Sequence, residues 1–135
     1  RWFYDPLVDG AKHDGLITVD RSAGLVIWPA HDGVIRAVRV TDGTLAWSYT
    51  EGGSPEGGLT LSNGRLYHLG KAALYCFNAA TGALAWSVSR SNPGNPNGTA
   101  SKPAVRDGVV YWGDDEAIRE NQASDFRRRE TDRIG

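Results

Sequence analysis

Apolar and polar side chains alternate along short stretches of this chain, and glycine-containing turns separate the stretches. In Val34–Val40, for example, successive side chains fall on opposite faces of an extended strand. Asn63-Gly64 and Asp107-Gly108 stand between such stretches, and these dipeptides favour tight hairpin turns because both residues tolerate positive φ. The pattern predicts eight strands, at Leu16–Val19, Leu25–Trp28, Val34–Val40, Thr44–Tyr49, Leu59–Leu61, Arg65–Leu69, Ala72–Asn78 and Ala83–Val88.

One segment occurs twice in similar form, with a spacing of 39 residues. GVIRAVRVTDGTLAWSY (Gly33–Tyr49) is followed by AALYCFNAATGALAWSV (Ala72–Val88). Each copy has a threonine just before a glycine, and a tryptophan four residues after that glycine; the residues are Thr41, Gly43, Trp47, Thr81, Gly82 and Trp86. A repeat of about 40 residues with four strands is typical of one blade of a β-propeller.

The repeat divides the chain into predicted units. We predict an all-β fold, a partial β-propeller with two complete four-stranded antiparallel blades over residues 16–50 and 58–89, and parts of two others. Residues 1–4 resemble the last strand of a preceding blade, and residues 101–118 the start of a further one. Residues 119–135 are rich in charge, which favours a charged tail over a degraded blade.

If the last segment is a degraded blade, Asn121–Arg129 aligns with Asn78–Trp86, and Arg129 takes the place of the tryptophan. Closing a propeller takes about four to eight blades. The chain also contains no methionine and begins with Arg1. We therefore expect a segment of a longer protein, or a protomer that closes a propeller together with others.

Composition narrows the function classes. The formal net charge is −1, so no overall field favours nucleic acid, and no run reaches the roughly 18 apolar residues of a membrane helix. Cys76 is the single cysteine, which excludes an intrachain disulfide and a cysteine-based zinc cluster. Its apolar surroundings, ALYCFN, predict a small buried side chain rather than a reactive thiol.

NAATGALAW (Asn78–Trp86) and VTDGTLAW (Val40–Trp47) resemble the repeat of the PQQ-like β-propeller family, whose core is Ala/Asp-x-x-Thr-Gly-x-x-x-Trp. The resemblance covers roughly residues 16–118. It implies that Trp47 and Trp86 dock against a neighbouring blade, beside the glycine turn of their own repeat. An exposed aromatic platform for a ligand is the alternative, which the regular spacing disfavours. The resemblance also implies an extracytoplasmic location, periplasmic or secreted.

The candidate catalytic and metal-binding residues do not combine into a motif. Asp114–Glu116 is the one carboxylate cluster, and without a loop of alternating ligands a solvated turn is favoured over a Ca²⁺ site. His13 and His31 stand beside aspartates in turns, and His68 lies in a predicted strand, where we expect half exposure. The basic run Arg127–Arg129 is flanked by acids and favours solvated surface. We predict no catalytic, cofactor-binding or metal site in this segment.

The sequence therefore favours a non-catalytic propeller segment that serves as a protein-interaction scaffold, similar to the barrel-assembly lipoproteins of bacterial outer membranes. Its partners would be other proteins or the rest of its own propeller, without nucleic acid and without a membrane span. One alternative is part of a quinoprotein dehydrogenase for alcohols or sugars, whose ligands for pyrroloquinoline quinone (PQQ) and Ca²⁺ lie in blades outside this segment. The other alternative is a propeller that binds carbohydrate or cell wall.

Overall fold

The computed structural model describes residues 3–4, 17–30, 32–51, 59–70, 72–90, 102–113, 118–122 and 128–130. These residues form three four-stranded antiparallel sheets. The strands are β1 (Thr18–Asp20), β2 (Leu25–Pro29), β3 (Val34–Arg39), β4 (Leu45–Thr50), β5 (Leu59–Ser62), β6 (Arg65–Leu69), β7 (Ala73–Asn78), β8 (Leu84–Ser89), β9 (Ala104–Arg106), β10 (Val109–Gly113), β11 (Ile118–Gln122) and β12 (Arg128–Glu130). In the described ranges no helix is long and apolar enough to cross a membrane.

Each sheet keeps its strands in chain order, which confirms a partial propeller of four-stranded antiparallel blades. All eight strands predicted for the first two sheets occur, and their ends differ by at most two residues. The hairpin turns also have the expected backbone. Asn63 and Gly64 have φ of 50° and 76°, and Asp107 and Gly108 have φ of 52° and 75°. Both turns thus use positive φ at both central residues, as the dipeptides predicted.

The third sheet corrects the tail interpretation for residues 119–122 and 128–130, the described part of 119–135. β11 and β12 continue this sheet as paired strands, with Arg119 opposite Glu130. The side chain of Asn121 is fully buried, and its Oδ1 accepts a hydrogen bond of 3.0 Å from Trp112 Nε1. The polar residue Asn121 is therefore buried and hydrogen-bonded within the sheet, which a count of charges does not reveal.

The strand pairing also shifts the alignment of the third repeat by one residue. Asn121 takes the position of Phe77, not that of Asn78, while Arg129 does take the position of Trp86. A register shift just before the tryptophan in the second sheet accounts for the difference.

The sheets pack face to face, with β1 next to β5 and β5 next to β9. The first strand of each sheet thus lies on the inner side, and β4, β8 and β12 lie at the opposite edges. One core joins the first two sheets and contains Leu25, Ile27, Ile35, Ala37, Trp47, Leu59, Leu66, Phe77 and Ala79. A second core joins the second and third sheets and contains Tyr67, Leu69, Leu74, Cys76, Trp86, Val110 and Trp112. The second sheet therefore buries both faces.

Candidate functional site

We call the interface between two neighbouring sheets a seam. The first seam, between the first and second sheets, is closed by Trp47. Its Nε1 donates a buried hydrogen bond of 2.8 Å to the carbonyl oxygen of Ala79. Its ring lies against Gly82, where an added Cβ would come within 2.5 Å of Cδ2 of the ring. Gly82 also has φ of 76°, so both the close approach and the backbone conformation require glycine.

This contact changes one expectation from the family resemblance. Trp47 does dock against a neighbouring blade, but the glycine turn that it meets, at Gly82, belongs to the next repeat and not to its own. Trp86 is buried to the same degree, with 7% of its surface exposed, and its ring centroid lies 6.1 Å from that of Tyr67. Neither tryptophan is available as an exposed ligand platform.

The same seam buries a histidine–carboxylate pair. His68 Nε2 lies 2.8 Å from Glu51 Oε2, and the two side chains are 0% and 2% exposed. Nδ1 of His68 has no hydrogen-bond partner among the described residues, while Nε2 donates to Glu51, because a carboxylate can only accept. Gly70 leaves the space for the carboxylate, because an added Cβ there would overlap Glu51.

The expectation that His68 is half exposed was therefore wrong. β6 lies in a sheet with both faces covered, and Leu66–Leu69 are all buried. Its partner Glu51 was missed because it follows β4, 17 residues away, outside any motif. The repeat itself contained a usable signal for this contact. Glu51 directly follows β4, and β4 packs against the next blade, so the side chain of Glu51 lies near that blade.

A second charged contact lies in the first sheet, where Asp32 accepts two hydrogen bonds from Arg36, of 3.1 and 2.7 Å. The side chains are only 7% (Arg36) and 12% (Asp32) exposed. The hydrogen bonds from Arg36 hold the pKa of Asp32 below its ordinary value of 3.8. No signal in the sequence indicated this pair, because Asp32 precedes the repeated segment and Arg36 has no counterpart in the second copy, which has Tyr75 at that position.

The substitution Asp32→Asn is expected to lower the free energy of unfolding by about 1 kcal/mol at neutral pH. Because the pKa of Asp32 is lower in the folded protein than the ordinary 3.8, its stabilisation is complete above that value and is lost as the pH falls through the folded pKa. Urea unfolding at a series of pH values should therefore show the difference from wild type shrinking below pH of about 4. A difference that stays constant or grows in acid would contradict this. Asp107→Asn, at an exposed turn, is the control.

Cys76 is fully buried, and burial raises the pKa of its thiol. Arg65 Nη1 lies 3.7 Å from its sulfur. The burial confirms the expectation of a small buried side chain. A thiol that resists ionisation is also a poor nucleophile and a poor metal ligand.

No three side chains of the His, Cys, Asp and Glu types come together as a metal site within the described part of the chain. His13, His31, Asp114–Glu116 and Arg127 lie outside the described residues. The inner strands β1, β5 and β9 carry one carboxylate, Asp20, which is 5% exposed and accepts the backbone N–H of Ala23 in its own turn. Carboxylates are the usual protein ligands of Ca²⁺, so the described inner strands contribute one such group, and it is already engaged within its own turn.

Comparison with known proteins identifies the family of the chain and structures with a similar fold. The protein family described as outer membrane protein assembly factor BamB matches residues 31–128. Among solved structures, the computationally designed Ika4 protein aligns with a TM-score of 0.72 and 16% identity, over 96% of this chain and 78% of its own. BamB from Moraxella catarrhalis aligns with 0.65 and 16%, over 90% of this chain and 37% of its own. No curated protein sequence matches the chain.

Quinohemoprotein alcohol dehydrogenase from Comamonas testosteroni aligns with a TM-score of 0.71 and 20% identity, over 89% of this chain and 21% of its own. At such identities the structural matches show the fold alone, and the chain spans only part of the two natural proteins. The family match, in contrast, extends over more than half of the sequence. The chain therefore belongs to the PQQ-like β-propeller family that is described as outer membrane protein assembly factor BamB.

Proposed function

We propose that this chain is a non-catalytic propeller segment that serves as a protein-interaction scaffold, and that partners bind along β4 and β8. These strands lie at the edges of their sheets. Their sequences, LAWSYT and LAWSVS, contain no charged residue. Leu45 and Leu84 stand at the same position of the two strands and are 42% and 43% exposed. Proteins usually protect such edges with charge, and an unprotected edge accepts an extended strand from a partner.

The third sheet supplies an internal contrast. Its edge strand β12 has the sequence RRE, so every residue carries a charge. The first two sheets thus have edges that favour added strands, while the third has an edge of the kind that prevents pairing. This difference within one repeat array supports a partner that follows β4 and β8.

The buried polar residues also support a structural role. Glu51 pairs with His68 and Asp32 with Arg36, and such internal contacts are typical of groups that stabilise a fold. The description of the matched family as an outer membrane assembly factor supports protein partners and an extracytoplasmic location. The structural similarity to quinohemoprotein alcohol dehydrogenase supports the alternative of a dehydrogenase segment, in which PQQ and Ca²⁺ would bind to other parts of a longer chain.

Site-specific photo-crosslinking tests the scaffold proposal. A crosslinking residue at Leu45 or Leu84, in cells that make the protein, should yield the same discrete adduct. Val19, which is 53% exposed on the inner strand β1, is the control and should yield none. A lysine at the exposed positions Ser48 or Ser87 should abolish the adduct, because it places charge on the edge. Adducts that form equally well in the lysine variants would contradict binding at the edges.

Titration of the natural full-length protein with PQQ and Ca²⁺ tests the alternative. We expect no stoichiometric uptake and no reduction of an electron-accepting dye in the presence of alcohols. Stoichiometric uptake with dye reduction would overturn the non-catalytic assignment.

A further inference from the structure

A polar groove opens on the second seam, between the β5–β6 hairpin and the β9–β10 hairpin. Its volume is about 440 Å³. Ser62, Asn63, Arg65 and Tyr67 line it from the second sheet, and Val105–Gly108 from the third. This volume lies within the range of about 300–1,000 Å³ that is usual for small-ligand pockets.

The equivalent place in the first seam is filled with apolar side chains. The β1–β2 turn contains four residues, and Ala23 within it packs against the first core, whereas the β5–β6 turn contains only two. Leu25 and Ile27 are buried at the positions that Arg65 and Tyr67 occupy in the second sheet. A shorter turn and two polar replacements therefore accompany the groove at the second seam.

Cationic and neutral donor groups dominate the groove. Arg65 is partly buried at its wall, and Arg106 lies at its mouth with 86% of the side chain exposed. Tyr67 is a buried residue of the lining, and desolvation raises its pKa to about 12, so its hydroxyl stays protonated at neutral pH. The amide of Asn63 and the hydroxyl of Ser62 add further hydrogen-bonding groups.

Asp107 is the one acidic residue in the lining. Its Oδ2 lies 3.6 Å from Arg106 Nε, and the two side chains are 89% and 86% exposed. An ion pair at such exposure contributes little to stability, so a carboxylate that enters the groove can replace Asp107 as the partner of Arg106.

We propose that this groove is a binding site for a carboxylate group, carried either by a small organic acid or by the acidic side chain of a peptide. Guanidinium groups recognise carboxylates through paired, charge-assisted hydrogen bonds. Two of them line one wall and the mouth of a groove of small-molecule size. The site is independent of the scaffold proposal, because it lies at the inner hairpins, away from the edges formed by β4 and β8.

NMR titration of the isotopically labelled 135-residue chain tests the site. N-acetylglutamate should cause saturable shifts of the Gly64 and Gly108 amides and of the Arg65 side-chain N–H, while the neutral N-acetylglutamine amide, which has no carboxylate, should cause none. A capped tripeptide with a central glutamate forms the second arm. Binding of the tripeptide alone would assign the carboxylate to a peptide partner, and binding of the free acid alone would assign it to a small metabolite. Absence of saturable shifts with both probes would overturn the proposal.

Four variants locate the binding. Arg65→Leu, which copies the first sheet, should weaken it about tenfold, and the exposed Arg106→Gln about threefold. Asp107→Asn should tighten it about threefold because it removes the competing charge. This substitution should preserve the turn, because Asn63 at the equivalent position of the β5–β6 turn has φ of 50°, close to the 52° of Asp107. Arg21→Gln, an exposed turn arginine of the first sheet, is the control and should leave binding unchanged. Affinity that Arg106→Gln and Asp107→Asn do not alter would also overturn the proposal.

Discussion

Gly82→Ala is expected to lower the free energy of unfolding by about 2–4 kcal/mol, against about 1 kcal/mol for Gly64→Ala. Both glycines have φ of 76°, so the two substitutions share the same backbone strain. Only at Gly82 would the new Cβ meet an obstacle, the ring of Trp47 at 2.5 Å, whereas nothing lies within 4 Å of a Cβ at Gly64. Urea unfolding of the two variants and the wild type measures both losses.

A double-mutant cycle separates the ring contact from other causes. Trp47→Leu removes most of the ring and the hydrogen bond to Ala79, and so is destabilising by itself. In that background Gly82→Ala should cost only about as much as Gly64→Ala, because the obstacle is gone. Equal losses for the two glycines in the wild-type background would show that Trp47 does not press on this turn.

Glu51→Ala is expected to lower the free energy of unfolding by about 2–4 kcal/mol, because it leaves the buried Nε2–H of His68 without its acceptor and creates a cavity. Glu51→Gln keeps an oxygen acceptor of similar shape and should cost about 1 kcal/mol. Urea unfolding at neutral pH measures both variants. Similar losses for alanine and glutamine would contradict a hydrogen-bonding role for this side chain.

Replacing both partners of this pair gives a further check. In Glu51→Leu combined with His68→Phe, no polar group of the pair remains buried. Apolar replacement of both partners of a buried pair is often nearly neutral. The double variant should therefore be more stable than Glu51→Ala, and a larger loss would mean that the polar contact itself is a net stabiliser.

The strands were predictable because their signals are local. Arg65–Leu69 was bounded by Asn63-Gly64 on one side and by a glycine on the other, and β6 has those limits. β11 escaped prediction because its inward-facing residue is Asn121, whose burial depends on Trp112 in another strand. Composition records the polarity of a residue but not its partner.

The residues at the seams were harder to predict for a different reason. Alternation assigns one face of a strand to solvent, which fails for a sheet that is covered on both sides, and His68 was misplaced for this reason. Glu51 reaches His68 only across a seam. The groove likewise depends on a comparison of turn lengths between hairpins of different sheets, which no single motif contains.

Trp47 belongs to one repeat by covalent connection, yet it rests on the glycine of the following one. A single blade is therefore not a self-contained module for recombination. Duplication of a whole repeat preserves the contact, because each copy supplies a tryptophan for the blade after it and a glycine for the blade before it. A graft that transfers residues 59–89 brings the pocket at Gly82 without the side chain that fills it. A chimeric propeller assembled from such pieces should be stable only when the blade that precedes the grafted one also carries this tryptophan in its last strand.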